Sequence, residues 1–279
     1  MTYRELLKIY EKKALEYNKE ETAVKKLLIE LINTNIYYIL DYIVEDEFVR
    51  QFDTLINKYF IDNIPIQYII GYEYFFGYKF IVNNNVLIPR RETEELVENT
   101  LYLYDEFFNK KKILLFDVAT GSGCIGISLN LEEPKIKVIA TDISKEALEV
   151  AKKNNKLLNA KVKFLEGDLL NPLEGYQADI LVSNPPYIPK DEVVDSLVKD
   201  NEPNIALFDK EDGLYFYNEI LKESKKYLKK KNIICFEHGY DKKEEIKRIA
   251  LKYYPKAVIR QKKDMQNLDR MTFIINMEE

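Results

Sequence analysis

The sequence has no tryptophan, one histidine, two cysteines, nine glycines and nine prolines among its 279 residues. So few glycines and prolines exclude a collagen-like or loop-dominated chain, and 46% hydrophobic with 32% charged residues excludes a disordered one. Cys124 and Cys235 lie far apart in apolar surroundings and form no Cys-x-x-Cys pair. Neither a disulfide framework nor a metal cluster is expected, and the two read as reduced, buried thiols of a cytoplasmic protein. No apolar run approaches the roughly 18 residues of a spanning helix. The N-terminus is charged from Arg4 onward and lacks the apolar core of a secretory signal. A basic excess is also missing, since 42 Lys and Arg face 47 Asp and Glu for a net charge of −5. Proteins that live on a phosphate backbone need a basic face, so direct nucleic-acid binding is not expected.

Tyrosine is plentiful, with 21 Tyr beside 14 Phe, so these rings must supply the large packing residues. Up to about residue 62 apolar residues recur at helical spacing, as in Leu6, Leu7, Tyr10 and Ala14, or Val24, Leu27, Leu28 and Leu31. These predict a small bundle of short helices over residues 1–72. Residues 73–89 are aromatic and β-branched, with turn chemistry at Gly77 and Asn83–Asn85, and predict a β-hairpin joining two domains. From residue 90 to 279 strand, loop and helix alternate. Strands are predicted at Ile113–Phe116, Lys137–Thr141, Val162–Leu165, Ile180–Ser183 and Ile233–Phe236, and a pair at Val258–Arg260 and Met271–Ile275 closes the chain. A helix is predicted over 214–229. Such alternation means an α/β fold with a doubly wound, mostly parallel, seven-stranded sheet.

Asp117-Val-Ala119-Thr120-Gly121-Ser122-Gly123-Cys-Ile-Gly126 follows a strand and opens a helix, and its glycines fit G-x-G-x-x-G. Glycine there lets backbone approach a ligand, and a helix N-terminus favours an anionic group. Asp142 ends the next strand, where a carboxylate accepts hydrogen bonds from vicinal ribose hydroxyls. The pair implies a nucleoside-containing cofactor. Asp117 speaks against a pyrophosphate, and hence against NAD, and suits a ligand bearing an ammonium group.

Asn184-Pro185-Pro186-Tyr187 follows a strand at its carboxyl end, where open α/β sheets bind ligands. The prolines stiffen the loop and leave carbonyls free to accept, Asn184 adds a side-chain carbonyl, and Tyr187 adds a flat face. Such a loop suits a planar amide or amino group. His238 reads as a structural histidine at a strand end, Glu202–Gly213 as part of a substrate entrance, and the charged stretch Lys222–Lys231 as a solvated helix face and turn.

Asp117–Gly123, Asp142, Asp168 and Asn184–Tyr187 resemble the motifs of class I S-adenosylmethionine-dependent methyltransferases acting on amide or amino nitrogens. Phe80–Val82, Val86–Arg90, Glu92–Glu94, Glu202-Pro203, Asp212–Leu214 and Phe236–Tyr240 resemble the PrmC/HemK family. Ala119 stands where that family usually has glycine, Arg91 where it commonly has proline, and Leu169 where some members carry an aromatic. The resemblance implies methyl transfer from S-adenosylmethionine, without a metal, to the glutamine of the Gly-Gly-Gln motif of peptide chain release factors. It implies cofactor contacts from Ala119, Thr120, Gly121, Ser122, Gly123, Asp142, Asp168, Leu169 and Asn184. Substrate contacts would come from Asn184, Pro185, Pro186 and Tyr187, with Asn184, Pro185 and Tyr187 catalytic, and substrate recognition from the helical domain. The alternatives are a ribosomal-protein glutamine as substrate, adenine-N6 methylation of nucleic acid, or a non-catalytic binding module.

Overall fold

The computed structural model describes residues 1–32 and 34–277. Helices α1 (Tyr3–Glu16), α2 (Glu21–Ile32), α3 (Asp46–Phe60) and α4 (Ile66–Ile70) lead to strands β1 (Tyr72–Phe75) and β2 (Tyr78–Ile81) and helix α5 (Arg91–Phe108). Next come β3 (Ile113–Val118), α6 (Cys124–Glu132), β4 (Ile136–Asp142), α7 (Lys145–Leu157), β5 (Lys163–Glu166) and β6 (Ala178–Ser183). Two short helices, α8 (Ser196–Lys199) and α9 (Asn204–Leu207), precede α10 (Tyr215–Ser224) and β7 (Leu228–Glu237). Helix α11 (Lys243–Tyr253) and strands β8 (Val258–Lys263) and β9 (Asp269–Asn276) follow. The chain forms two compact units, Met1–Tyr72 with Val194–Asn201, and Glu73–Val193 with Glu202–Glu279.

In the first unit, α1 opens on a capping box: Thr2 Oγ1 accepts from Glu5 N at 3.2 Å and Glu5 Oε2 accepts from Thr2 N at 2.8 Å. Its apolar stripe, Leu6, Tyr10 and Ala14, is buried with Val24, Leu27 and Leu28 of α2 and Phe52 and Ile56 of α3. The segment 194–201, expected from sequence within the α/β region, completes this unit instead. Leu197 packs on the helical core, and Asn201 Nδ2 donates to the Asn63 carbonyl at 2.7 Å.

In the second unit the seven strands run in the order β5-β4-β3-β6-β7-β9-β8. Strands β3 to β7 pair in parallel, and β9 runs antiparallel to both of its neighbours. Successive side chains on a strand face opposite ways. Leu115, Val138, Ile180 and Ile233 therefore enter one core, and Phe116, Ile139, Leu181 and Ile234 the other. Every residue of β6 is buried, as a central strand covered on both faces requires.

Two expectations shift. Where a separate linker over 73–89 was expected, the hairpin β1–β2 falls from Glu73 onward in the second unit. Phe75 and Phe80 are buried in its core, and Asn154 of α7 receives a hydrogen bond from Ile81 N at 2.7 Å and donates to Ile81 O at 3.0 Å. The helix expected over 214–229 ends at Ser224, because Leu228 already enters the sheet opposite Ala178. Lys229–Lys231 thus lie on β7, where Lys229 pairs with Asp179 at 2.8 Å.

Chain order reverses between β3 and β6: β4 and β5 extend the sheet on one side, β7 on the other. Ligands of open α/β sheets bind at the carboxyl ends of the strands beside this point. Ser183 Oγ donates to the Val118 carbonyl at 2.7 Å and ties the two strand ends together.

Candidate functional site

A cleft opens at this switch point, within the second unit. Its floor is the turn after β3, where Ala119, Thr120, Gly121 and Ser122 line it. Asp142, Ile143 and Ser144 after β4, Asp168 and Leu169 after β5, and Asn184 and Pro186 after β6 form one side. Val86, Leu87, Pro89 and Arg90 with Pro203, Ile205, Ala206, Lys210 and Phe216 form further walls.

The Gly-rich turn is held from below. Asp117 is fully buried, and its Oδ2 accepts from Thr120 Oγ1 at 2.5 Å and from Gly126 N at 2.9 Å. Burial pushes its pKa up to about 6 against those hydrogen bonds. Asp117 lies outside the cleft lining. Its Oδ2 serves the turn, and among the described residues its Oδ1 has no hydrogen-bond partner. Gly126 is glycine for the same reason, since a Cβ would sit 2.8 Å from Asp117 Oδ2. Gly123, with φ of +83°, caps α6 and would meet Ile127 Cδ1 at 2.9 Å, so it too is a packing glycine outside the lining.

Asp142 does face the cleft. Its Oδ2 accepts from Gly121 N at 2.8 Å and its Oδ1 from Ser144 N at 2.9 Å, so the carboxylate is fixed in orientation. Burial pushes its pKa above the usual carboxylate range, and the backbone N–H groups oppose that. Asp168 is exposed at the rim. Leu169 adopts φ of +47°, with its carbonyl accepting from Thr141 Oγ1 at 2.9 Å.

Asn184 lines the cleft beside Thr93 of α5, and its Nδ2 donates to Thr93 Oγ1 at 3.2 Å. Pro186 also lines it, whereas Pro185 and Tyr187 do not. The Tyr187 ring packs on the core cluster of Phe236 and Tyr217, and burial pushes its hydroxyl up to about 12. Beneath it, Gly213 has φ of +88° and approaches so closely that a Cβ would lie 2.6 Å from the Tyr187 carbonyl. Gly213 N donates to the buried Asp209 at 2.8 Å.

The Glu202–Gly213 segment contributes Pro203, Ile205, Ala206 and Lys210 to the walls. Glu202, 4% exposed, accepts from Arg90 Nη2 at 2.5 Å and from Ile88 N at 3.0 Å, clamping the wall that precedes α5. His238 is fully buried away from the lining, with Nδ1 at 2.9 Å from the Gly239 carbonyl and Nε2 at 2.9 Å from Thr272 Oγ1. Burial pushes its pKa below the usual imidazole value and favours the neutral ring. Thr93 and Glu237 lie in stretches that carry the family resemblance, but sequence reasoning gave neither a role in the site. The available signal was position, since Glu237 ends a buried strand on the carboxyl side of the sheet.

No helix among the described residues is long and apolar enough to cross a membrane. Residues 94–203 match the family model "Methyltransferase small domain". A release factor glutamine methyltransferase of Bacillus cereus is 40% identical over 92% of this chain and 93% of its own length. One of Bacillus subtilis is 44% identical over 75% of this chain and 74% of its own. Among solved structures, the Thermus thermophilus 16S rRNA N2 G1207 methyltransferase, in complex with AdoMet and guanosine, aligns with a TM-score of 0.53 at 13% identity. It covers 74% of this chain and 49% of that one, and shows the methyltransferase fold. With 40% identity across more than nine tenths of both chains to the first and 44% across about three quarters to the second, the chain belongs to the release factor glutamine methyltransferase family.

Proposed function

We propose that the chain transfers a methyl group from S-adenosylmethionine to the side-chain amide nitrogen of the glutamine in the Gly-Gly-Gln motif of peptide chain release factors, in the cytoplasm. One observation carries the reading: the cleft joins a Gly-rich turn and a strand-end carboxylate to an Asn-Pro-Pro-Tyr loop, in a chain 40% identical to such an enzyme.

The residues present fit the cofactor. Asp142, oriented by two backbone N–H groups, offers a carboxylate for vicinal hydroxyls. Ala119, Ile143 and Leu169 offer apolar surface, and the backbone of Thr120–Ser122 borders the open space. Asp168 stands at the rim for further polar contact. When bound, S-adenosylmethionine supplies an electrophilic methyl on a sulfonium. A carboxamide nitrogen is a poor nucleophile because its lone pair is delocalised, as in a peptide bond. In this reading Asn184 Oδ1 and the Pro185 carbonyl accept its two N–H groups and aim the nitrogen. Such positioning is worth up to roughly 7–11 kcal/mol in favourable cases. The same acceptors stabilise positive charge growing on nitrogen, after which a proton leaves to water. Tyr187, packed on the core, holds the loop in place. The helical unit recognises the substrate protein, a role supported by its exposed Tyr37, Tyr38, Tyr42 and Ile43.

The test is methyl transfer from labelled S-adenosylmethionine to a purified release factor beside its Gly-Gly-Ala variant. Label on the first alone supports the reading. Label on neither, with cofactor binding intact, sinks it and turns attention to a ribosomal-protein glutamine. Asn184→Ala is expected to abolish turnover while cofactor binding stays measurable by calorimetry.

A further inference from the structure

Glu237, at the end of β7, is 2% exposed and plays no part in the mechanism above. Burying a carboxylate without pairing it is costly, so its retention calls for a reason. Among the described residues its Oε2 has no hydrogen-bond partner. Ser183 pairs with Phe236, so Asn184 and Glu237 follow at neighbouring strand ends, and Thr93 and Asn184 of the cleft wall both favour the charged form of Glu237. Asn184 in turn donates through Nδ2 to Thr93 Oγ1 at 3.2 Å.

The direction of these bonds has a chemical consequence. A carboxamide is ambivalent, with a donor NH2 on one side and an acceptor oxygen on the other. The two ends are nearly the same size, so shape alone does not choose between them. An ionised carboxylate only accepts. Beside one, the NH2 end of Asn184 turns inward, where it donates to Thr93 Oγ1 and leaves the proton of that hydroxyl for the carboxylate. The carboxamide oxygen is then the end left for the cleft. The opposite setting buries an oxygen against a carboxylate and presents N–H groups to a substrate that itself brings N–H groups.

We propose that Glu237 is a positioning residue, whose buried carboxylate acts with Thr93 to lock the Asn184 carboxamide with its oxygen toward the substrate amide. This deepens the proposed function and rests on it for the identity of the substrate. Tyr217 Oη braces the strand end by donating to the Glu237 carbonyl at 2.8 Å. The groups that set the ionisation of Glu237 are burial, which raises it to about 7, Arg270 of β9, which favours the charge, and Glu92 of α5, which opposes it. Tyr187, Tyr217 and Cys124 also face it, and each is itself held protonated by burial. Protonated Glu237 gains a donor and loses the power to choose between the two ends of Asn184.

The experiment compares wild-type, Glu237→Gln, Thr93→Val and the double variant as full-length protein. Expected for each single variant is a 10- to 100-fold fall in kcat toward the release factor, with the cofactor Kd unchanged within twofold. The wild-type kcat falls below about pH 7, and this limb is absent in Glu237→Gln. The double variant is no worse than the poorer single, since both break one chain of bonds. Glu237→Gln with wild-type kcat and the same acid limb overturns the proposal. A second readout needs no turnover: the Asn184 side-chain NH2 resonances, assigned by their loss in Asn184→Asp. They are expected to exchange slowly with solvent in the wild type and at least tenfold faster in Glu237→Gln, and equal rates overturn the proposal too. Should the wild type methylate no release factor, the functional reading fails, and these resonances still decide the positioning.

Discussion

Ala119 and Leu169 sit in the left-handed region with φ of +59° and +47°, a conformation that costs a non-glycine residue about 1–2 kcal/mol. Both border the cleft. Ala119→Gly is expected to raise stability by about 1 kcal/mol or less, after the added freedom of glycine in the unfolded chain is deducted, and to leave cofactor affinity within twofold. Thermal unfolding with and without S-adenosylmethionine checks both. The alanine was visible in the sequence as a departure from a family glycine; the positive φ was not, since turn geometry is set by Asp117 and Thr120 from below. His238 shows the reverse. Its isolation and strand-end position already argued for a structural role, and the two hydrogen bonds of the ring agree. His238→Ala is expected to keep turnover per folded molecule and to lose about 1–3 kcal/mol of stability, because Thr272 and the Gly239 carbonyl lose their partner. A folded but inactive variant would contradict this.

At the scale of elements, the three glycines of the G-x-G-x-x-G turn look alike in sequence and do different things in the fold. Gly121 borders the cleft, Gly123 makes room for Ile127 and Ala151, and Gly126 lets α6 settle on Asp117 and Val138. Only the three-dimensional neighbours separate these roles, and spacing carries no trace of them. Gly126→Ala is expected to cost about 1–3 kcal/mol of stability through overpacking and to weaken cofactor binding, because the helix must back away from the turn. Gly213→Ala places a Cβ 2.6 Å from the Tyr187 carbonyl at a φ of +88°. It is expected to lower kcat with cofactor affinity retained, since it displaces the loop that bears Asn184 and not the Gly-rich turn. Equal losses in both quantities would mean that the turn and the loop move together. The order of strands and helices was legible from periodicity. The placement of 194–201 was not, because it depends on Asn201 reaching Asn63, a contact between residues far apart in the chain.

For the whole molecule, the buried carboxylates set a pH dependence whose sign can be worked out. Asp117 and Glu237 hold protons up to about 6 and about 7, well above the usual carboxylate range. The native state therefore binds protons more tightly than the unfolded chain. The stability this gives is complete below the unfolded values near 4 and is lost as pH rises through 6 and 7. Each group accounts for up to about 3 kcal/mol, at 1.36 kcal/mol per unit. His238, held neutral, acts in the opposite sense as pH falls through its ordinary range, so the clean measurement is a difference. Glu237→Gln is expected to be as stable as the wild type at pH 5 and increasingly more stable toward pH 8, by urea denaturation at constant ionic strength. A gap independent of pH would show that the carboxylate is not buried in solution. This has a consequence for how such a sequence evolves under heat. Selection for endurance alone would discard the acid at position 237 early, and the survivors would be robust proteins that modify their target slowly; only selection that scores the product keeps it.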